Sequence, residues 1–321
     1  MEIRQYEDFE YTVIENRVTI VKYTGNYGVV LIPDRINNIE VTKIGKEAFR
    51  DCTFISKVSL PNTLEVLENY CFCGCNGLTE FYFGDKINSI GSHAFYNCRG
   101  LSEIYLPGEI RDIGDGAFKN CDKINKINVR AESEKIISIK HPLEGLLHDV
   151  IVKIVYVIEG KEEKAALLFP KDEVFFSYYT TRLNDKTTFG VGNHYHNCVG
   201  NGTIDYARYD SLFSGAKNQL PIDILLQIAL LRAMYPYRLE EEDNERYLLY
   251  IKEHMDTVTK KAIQSENIEE LGFIASKKLM KEDKMDEYIE YAIERNKVEC
   301  TSFLLTYKNE NYNKRNLELE L

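Results

Sequence analysis

Residues 44–129 state one short phrase four times at a constant interval. Ile44-Gly45-x-x-Ala48-Phe49-x-x-Cys52 returns as Leu67, Cys71, Phe72 and Cys75, and again as Ile90-Gly91-x-x-Ala94-Phe95-x-x-Cys98. The fourth copy is Ile113-Gly114-x-x-Ala117-Phe118-x-x-Cys121. Each step is 23 residues at the aliphatic, phenylalanine and cysteine positions alike. A fixed period of this length belongs to a solenoid, in which no coil hides its apolar face without a neighbour. The second copy departs from the others, with Glu68 for glycine and Cys71 for alanine.

Each cysteine precedes a short strand, over 55–60, 78–83, 101–106 and 124–129. Alternation sends Val58 and Leu60, Phe81 and Phe83, Ile104 and Leu106, and Ile127 and Val129 inward. The residues between them form two outward ladders: Lys57, Glu80, Glu103 and Lys126, and Ser59, Tyr82, Tyr105 and Asn128. Tyrosine gives an interface large contact area at small entropic cost. Lys57, Glu80, Tyr82, Glu103, Tyr105 and Lys126 are therefore the candidate binding residues. Four coils span only about 15–20 Å of sheet, which suits a peptide or small epitope. The Ala-Phe pair belongs on the opposite side, in a short helical turn that drops the ring into the core. Four of the eight cysteines fall in the repeat column. Stacked parallel at about 4.8 Å, they have poor geometry for disulfides and read as reduced thiols.

The phrase Ile-Gly-x-x-Ala-Phe-x-x-Cys-x-x-Leu-x-x-Ile-x-Leu-Pro resembles the BspA-like leucine-rich repeat family, over residues 29–129. That resemblance implies a right-handed solenoid with one strand per turn, and binding rather than catalysis. Many members of the family are surface adhesins. Here the N-terminus, Met1-Glu2-Ile3-Arg4-Gln5-Tyr6-Glu7-Asp8, is acidic and lacks the apolar core of a signal peptide, so the expected location is cytoplasmic.

Residues 1–28 read as a β cap, with a hairpin of 11–14 and 18–21 around Glu15-Asn16-Arg17. The solenoid occupies 29–130, and a mixed β and irregular connector follows over 131–220. In it, 150–158 and 165–170 form a hairpin, while 171–202 reads as irregular structure. Pro221 opens a helix that places Ile222, Leu225, Leu226, Ala229 and Ala233 at helical spacing, and Pro236 closes it. Within 221–321 a second repeat appears at an offset of 30 residues: Ala262-Ile263 matches Ala292-Ile293, and Phe273-Ile274 matches Phe303-Leu304. These paired helices resemble ankyrin-type repeats, without the Thr-Pro-Leu-His signature. The fold expected is α+β: a short leucine-rich-repeat solenoid, a β-containing connector and an α-helical repeat domain.

The net charge of -11 argues against nucleic acid or an anionic membrane as partner, since both need clustered cations. No apolar stretch reaches the roughly 20 residues of a spanning helix. No phosphate loop, G-x-S-x-G or H-E-x-x-H occurs, so no catalytic residue and no cofactor is assigned. Two clusters invite chemistry. Cys71-Phe72-Cys73-Gly74-Cys75 has zinc-like thiols, but Cys71 and Cys75 hold core positions of the repeat, which leaves only Cys73 unassigned. His194-Tyr195-His196-Asn197-Cys198, if extended, puts His194, His196 and Cys198 on one face, as half a metal site or a Cys–His pair. The expected function is a non-catalytic module binding a protein or peptide. The alternative is a metal-dependent or thiol enzyme at His194, His196 and Cys198.

Overall fold

The recurrent phrase folds as a coil that meets two sheets in turn. In the computed structural model residues 2–135, 139–144, 148–171, 173–176, 186–200 and 202–313 are described. They divide into two units, Met1–Gln219 and Leu220–Leu321. The first begins with the meander β1 (Arg4–Tyr6), β2 (Phe9–Ile14) and β3 (Arg17–Tyr23), then β4 (Val29–Leu31), β5 (Arg35–Ile36) and β6 (Ile39–Ile44). Later coils each give one strand to either sheet: β7 (Lys57–Ser59) and β8 (Val66–Leu67), β9 (Glu80–Tyr82) and β10 (Ser89–Ile90), β11 (Glu103–Pro107) and β12 (Asp112–Ile113). β13 (Lys126–Ala131), α1 (Lys140–Glu144), β14 (Val150–Ile158) and β15 (Lys161–Phe169) follow.

One sheet runs β1-β2-β3-β6-β8-β10-β12 and the other β15-β14-β13-β11-β9-β7-β4. Each coil thus carries two strands, not the one that the family resemblance implies. The second arises because the Ile-Gly segment is itself extended and bonds to the coil before it: Gly91 N–H donates to Leu67 O at 2.7 Å, and Gly114 N–H to Ile90 O at 2.8 Å. Glycine is needed there, since a Cβ on Gly91 would lie 2.5 Å from Asn69 N and one on Gly114 2.4 Å from Ser92 N. Glu68 turns the departure to use: its carboxylate accepts from Lys46 N–H at 2.9 Å and pairs with Lys43 at 3.3 Å.

Between the sheets the phenylalanines form a column. Phe49 and Phe72 stack at 4.7 Å, Phe72 and Phe95 at 5.5 Å, Phe95 and Phe118 at 5.2 Å. Tyr23 of β3 continues it at 5.1 Å from Phe49, so the N-terminal hairpin caps the column with a ring of its own. Instead of a helix, the Ala-Phe segment is a pair of tight corners. Glu47, Tyr70, His93 and Gly116 take the left-handed region (φ 58–64°), as do Asp51, Gly74, Asn97 and Asn120 (φ 59–76°). Asn, Asp and Gly tolerate that conformation best, which explains the residue before each cysteine. The buried cysteines close the corner: the thiols of Cys75, Cys98 and Cys121 each donate to the carbonyl of Phe49, Phe72 or Phe95, one coil back, at 3.1 Å.

The second sheet outlasts the 23-residue period. β14 pairs parallel with β13, and β15 turns back antiparallel as its edge. The region 171–202 is not irregular where described: β16 (Glu173–Phe176) and β17 (Lys186–Phe189) pair antiparallel, and α2 (Gly190–His196) follows. α3 (Tyr206–Ser211) and α4 (Phe213–Ala216) complete the unit. α2 and α3 cover the edge, with His196 and Tyr209 meeting the Phe169 ring edge-on at 5.8 and 5.9 Å, because an exposed strand leaves backbone groups unpaired. The Tyr209 hydroxyl takes the place of a neighbouring strand, accepting from Leu168 N–H at 3.1 Å and donating to Leu168 O at 2.6 Å.

In the second unit helices come in pairs: α5 (Ile222–Met234) with α6 (Glu241–Glu253), α7 (Met255–Gln264) with α8 (Ile268–Ser276), and α9 (Met285–Glu294) with α10 (Val298–Lys308). Pro221 caps α5 and Glu240 caps α6, whose first turn holds Glu241, Glu242 and Asp243 at the positive end of the helix dipole. Ile222 is 53% exposed, contrary to its expected place on the apolar stripe, because it opens the helix before the buried run from Leu225 begins.

Candidate functional site

Parallel register places the outward ladders side by side. Glu80 stands opposite Lys57 and Glu103, Tyr82 opposite Ser59 and Tyr105, and Asn128 opposite Tyr105. Two carboxylates on adjacent strands repel unless cations and donors surround them. Lys57 pairs with Glu80 at 3.2 Å and Lys126 with Glu103 at 2.7 Å. The Tyr82 hydroxyl donates to Glu80 at 2.7 Å, the Tyr105 hydroxyl to Glu103 at 2.9 Å, and Asn128 Nδ2 to Glu103 at 2.7 Å. The two rings stack at 4.2 Å and 9°, and the Lys57 ammonium lies 4.6 Å over the Tyr82 ring.

Titration follows from these contacts. The Tyr82 hydroxyl and the Lys57 ammonium hold the Glu80 carboxyl below its ordinary value. Burial alone would raise Glu103, but donation from Lys126, Asn128 and Tyr105 outweighs it and lowers the carboxyl. Burial, and the bond it gives to Glu103, push the Tyr105 phenol up. Two lysines against two glutamates leave these six residues with no net charge. All six lie on this face and are half-buried, and their polar groups bond mainly to one another. The surface is therefore stiff, aromatic at its centre and electrically balanced. It suits shape and apolar contact, not the capture of an ion.

The sequence reading missed the end of this face. β4 pairs with β7 so that Val29 adjoins Lys57 and Leu31 adjoins Ser59. Val29 is 55% and Leu31 71% exposed, so both outward rows begin with an aliphatic side chain. The signal was present in the alternation of Val29-Val30-Leu31-Ile32, where Val30 and Ile32 are buried.

The two chemical clusters come apart. His194 and His196 lie on α2, not on a strand, so their side chains diverge. His194 is exposed, His196 packs edge-on to Phe169 at 5.8 Å, and Cys198 is buried with its thiol 3.4 Å from His194 O. Burial pushes the Cys198 thiol up to about 12, the opposite of an activated nucleophile. Cys71, Cys73 and Cys75 are all buried, and burial holds Cys71 well above its ordinary value. Cys73, which the repeat left unassigned, is thus part of the interior. Among the described residues no group of three or more His, Cys, Asp or Glu is placed to hold a metal.

With this geometry in place, residues 32–140 match the family model described as BspA type leucine rich repeat region, in six copies. Solved structures with the same repeat overlap the chain in part. A leucine rich cell surface protein of Faecalibacterium prausnitzii is 24% identical, covering 40% of this chain and 37% of that one, with a TM-score of 0.38. The leucine rich repeat protein of T. pallidum is also 24% identical over 40% of this chain and 71% of its own, at a TM-score of 0.32. The pneumococcal vaccine antigen PcpA is 20% identical over 57% of each chain, at 0.30. This chain therefore spans well under half of the Faecalibacterium protein. No curated protein matches it. No helix among the described residues is long and apolar enough to cross a membrane.

Proposed function

We propose that this chain, with a BspA-type repeat region at 32–140, is a non-catalytic module that binds a protein or peptide across the outward ladders. The observation that carries the reading is the Tyr82–Tyr105 stack at 4.2 Å, set in a charge-balanced face and flanked by exposed Val29 and Leu31. Solenoids present such repeated rows as binding surfaces. Ligand side chains reaching this face meet rings already ordered, so little conformational entropy remains to be lost. An ankyrin-like character of the helical pairs belongs to the same proposal and rests on their 30-residue offset. A cytoplasmic location fits the buried, unpaired thiols.

The alternative enzyme at His194, His196 and Cys198 loses its geometric basis once those residues lie on and beyond a helix with a buried thiol. The test is affinity capture with the full chain, followed by calorimetry on the partner it retains. Tyr82→Ala/Tyr105→Ala and, separately, Leu31→Asp are expected to weaken binding at least about tenfold, the scale of a contact worth 1.4 kcal/mol. Undiminished affinity in both variants removes this face from consideration.

A further inference from the structure

We infer that β4 is an edge for strand addition: an extended segment of a protein partner hydrogen-bonds along Val29–Leu31 and lengthens the sheet by one strand. The inference rests on the proposed protein or peptide partner and adds how that partner's chain is held.

The backbone decides what can lie there. Lys57 N–H donates to Gly28 O at 3.1 Å, and Ile32 N–H donates to Ser59 O at 3.2 Å, so Gly28 and Ile32 turn toward β7. In a parallel ladder, alternate residues of a strand face opposite neighbours. Val30 therefore also faces β7, while the N–H and C=O groups of Val29 and Leu31 point away from it. Among the described residues nothing bonds to those four groups. Two donors and two acceptors, repeating every two residues or about 6.6 Å, are the template for another strand.

Among the described residues, β4 is also the edge of the two large sheets that is left unprotected. Proteins blunt free edges with charged side chains, very short strands or a covering element. β15 is covered by α2 and α3, and the Tyr209 hydroxyl occupies the backbone groups of Leu168. β1 presents Arg4 and Gln5, and β12 is two residues long and begins with Asp112. β4 has no charge, proline or bulge. Tyr27, Val29 and Leu31, spaced by two, are all exposed. Folding does not call for a further strand here, since Val30 and Ile32 are buried and the Tyr23 ring already closes the phenylalanine column.

An extended segment with apolar side chains at alternate positions is the occupant that fits. Backbone bonds hold it, and its apolar row lies beside Val29 and Leu31, where the rows leading to Glu80 and Tyr82 begin. A second copy of the chain fits less well. The other sheet runs three strands past β6, as β3, β2 and β1, and β6 shares a coil with β4. A second solenoid meets that meander before its own edge reaches β4, whereas a single segment is only about 4.8 Å wide.

The test is a titration of the full, isotope-labelled chain with the blocked peptide Lys-Thr-Val-Thr-Val-Thr-Lys, followed by amide NMR. At saturation the peptide is expected to shift the Val29 and Leu31 amides and to slow their hydrogen exchange at least about tenfold. Only one alternate set of its amides faces β4. N-methylating either the two valines or the three threonines should therefore abolish binding, and methylating the other set should preserve it. Leu31→Pro removes an outward donor but no bond to β7, and is expected to weaken the peptide at least about tenfold with unchanged circular dichroism. Amides of Val29 and Leu31 that are protected before peptide is added overturn the inference. So do shifts confined to other residues, no shifts, equal effects of the two methylation patterns, or full affinity in Leu31→Pro. Tyr82→Ala/Tyr105→Ala leaves β4 intact and tests the ladder face separately: partner binding lost in that variant, with a silent β4 edge, refutes strand addition and leaves the ladder reading standing.

Discussion

Phe95→Ala tests whether the column of rings holds the solenoid together. Phe95 is fully buried, stacked between Phe72 at 5.5 Å and Phe118 at 5.2 Å, each within 4° of parallel. Phe81 and Phe83 meet it edge-on at 4.7 and 5.7 Å. Truncating a buried phenylalanine costs about 3–5 kcal/mol through lost transfer energy and the cavity left behind. Each aromatic pair adds about 0.5–1.5 kcal/mol, although neighbours sharing one cavity do not sum. Phe95→Ala should therefore cost about 5 kcal/mol, against about 3 kcal/mol for Phe118→Ala, which removes one stacked contact with Phe95. Because coils couple through their neighbours, amides of the flanking coils should lose exchange protection together with the mutated one. Urea melts followed by tyrosine fluorescence and far-ultraviolet circular dichroism give the energies, and hydrogen exchange gives the distribution. A loss of only about 1 kcal/mol, or equal losses for the two variants, refutes the column as the organising core.

Tyr209→Phe strips the β15 edge of its substitute partner, leaving Leu168 N–H and C=O buried and unpaired. About 2 kcal/mol should be lost, with faster exchange at Leu168; an unchanged melt refutes the edge-capping role. Burial raises the Cys52 thiol to about 11 and Cys198 to about 12, above the unfolded value of about 8.5. The fold thus favours the protonated thiols, so their contribution is intact below about pH 8.5 and lost as pH rises through 11–12. Native protein should react slowly with a thiol reagent at pH 8 (roughly neutral for these groups) and release all eight thiols on denaturation. On the acid side Glu80 and Glu103 have lowered values, so their contribution holds above the ordinary carboxylate range near about 4.3 and fades below it. Glu103→Gln should flatten that acid limb in pH-dependent melts; an identical acid profile would count against the ladder as a charge-balanced unit.

How much could be read beforehand depended on whether a residue's environment repeats. The phenylalanine column, the buried cysteines and the faces of Tyr82 and Tyr105 were readable because each coil meets a copy of itself, so a position's neighbour is known from its spelling. The same logic failed at the ends. Val29 and Leu31 are exposed because, among the described residues, β4 is the edge of its sheet, and spacing alone does not show where a stack stops. His194-Tyr195-His196 gave no periodic clue, and it became helix where the chain turns to cover β15.

A period of 23 residues was enough to dictate stacked coils, since burying an apolar face against an identical neighbour is a local rule that the chain repeats. Three-dimensional packing decided the rest. Two strands arise per coil because Ile-Gly segments also bond between coils. The acidic ladder is neutral because lysines from the flanking strands reach it. Ile293 is exposed where Ile263 is buried because α9 and α10 pack on the α7–α8 pair, while among the described residues no helix packs in the same way on α9 and α10. Identical local sequence meets different surroundings, and burial belongs to the surroundings.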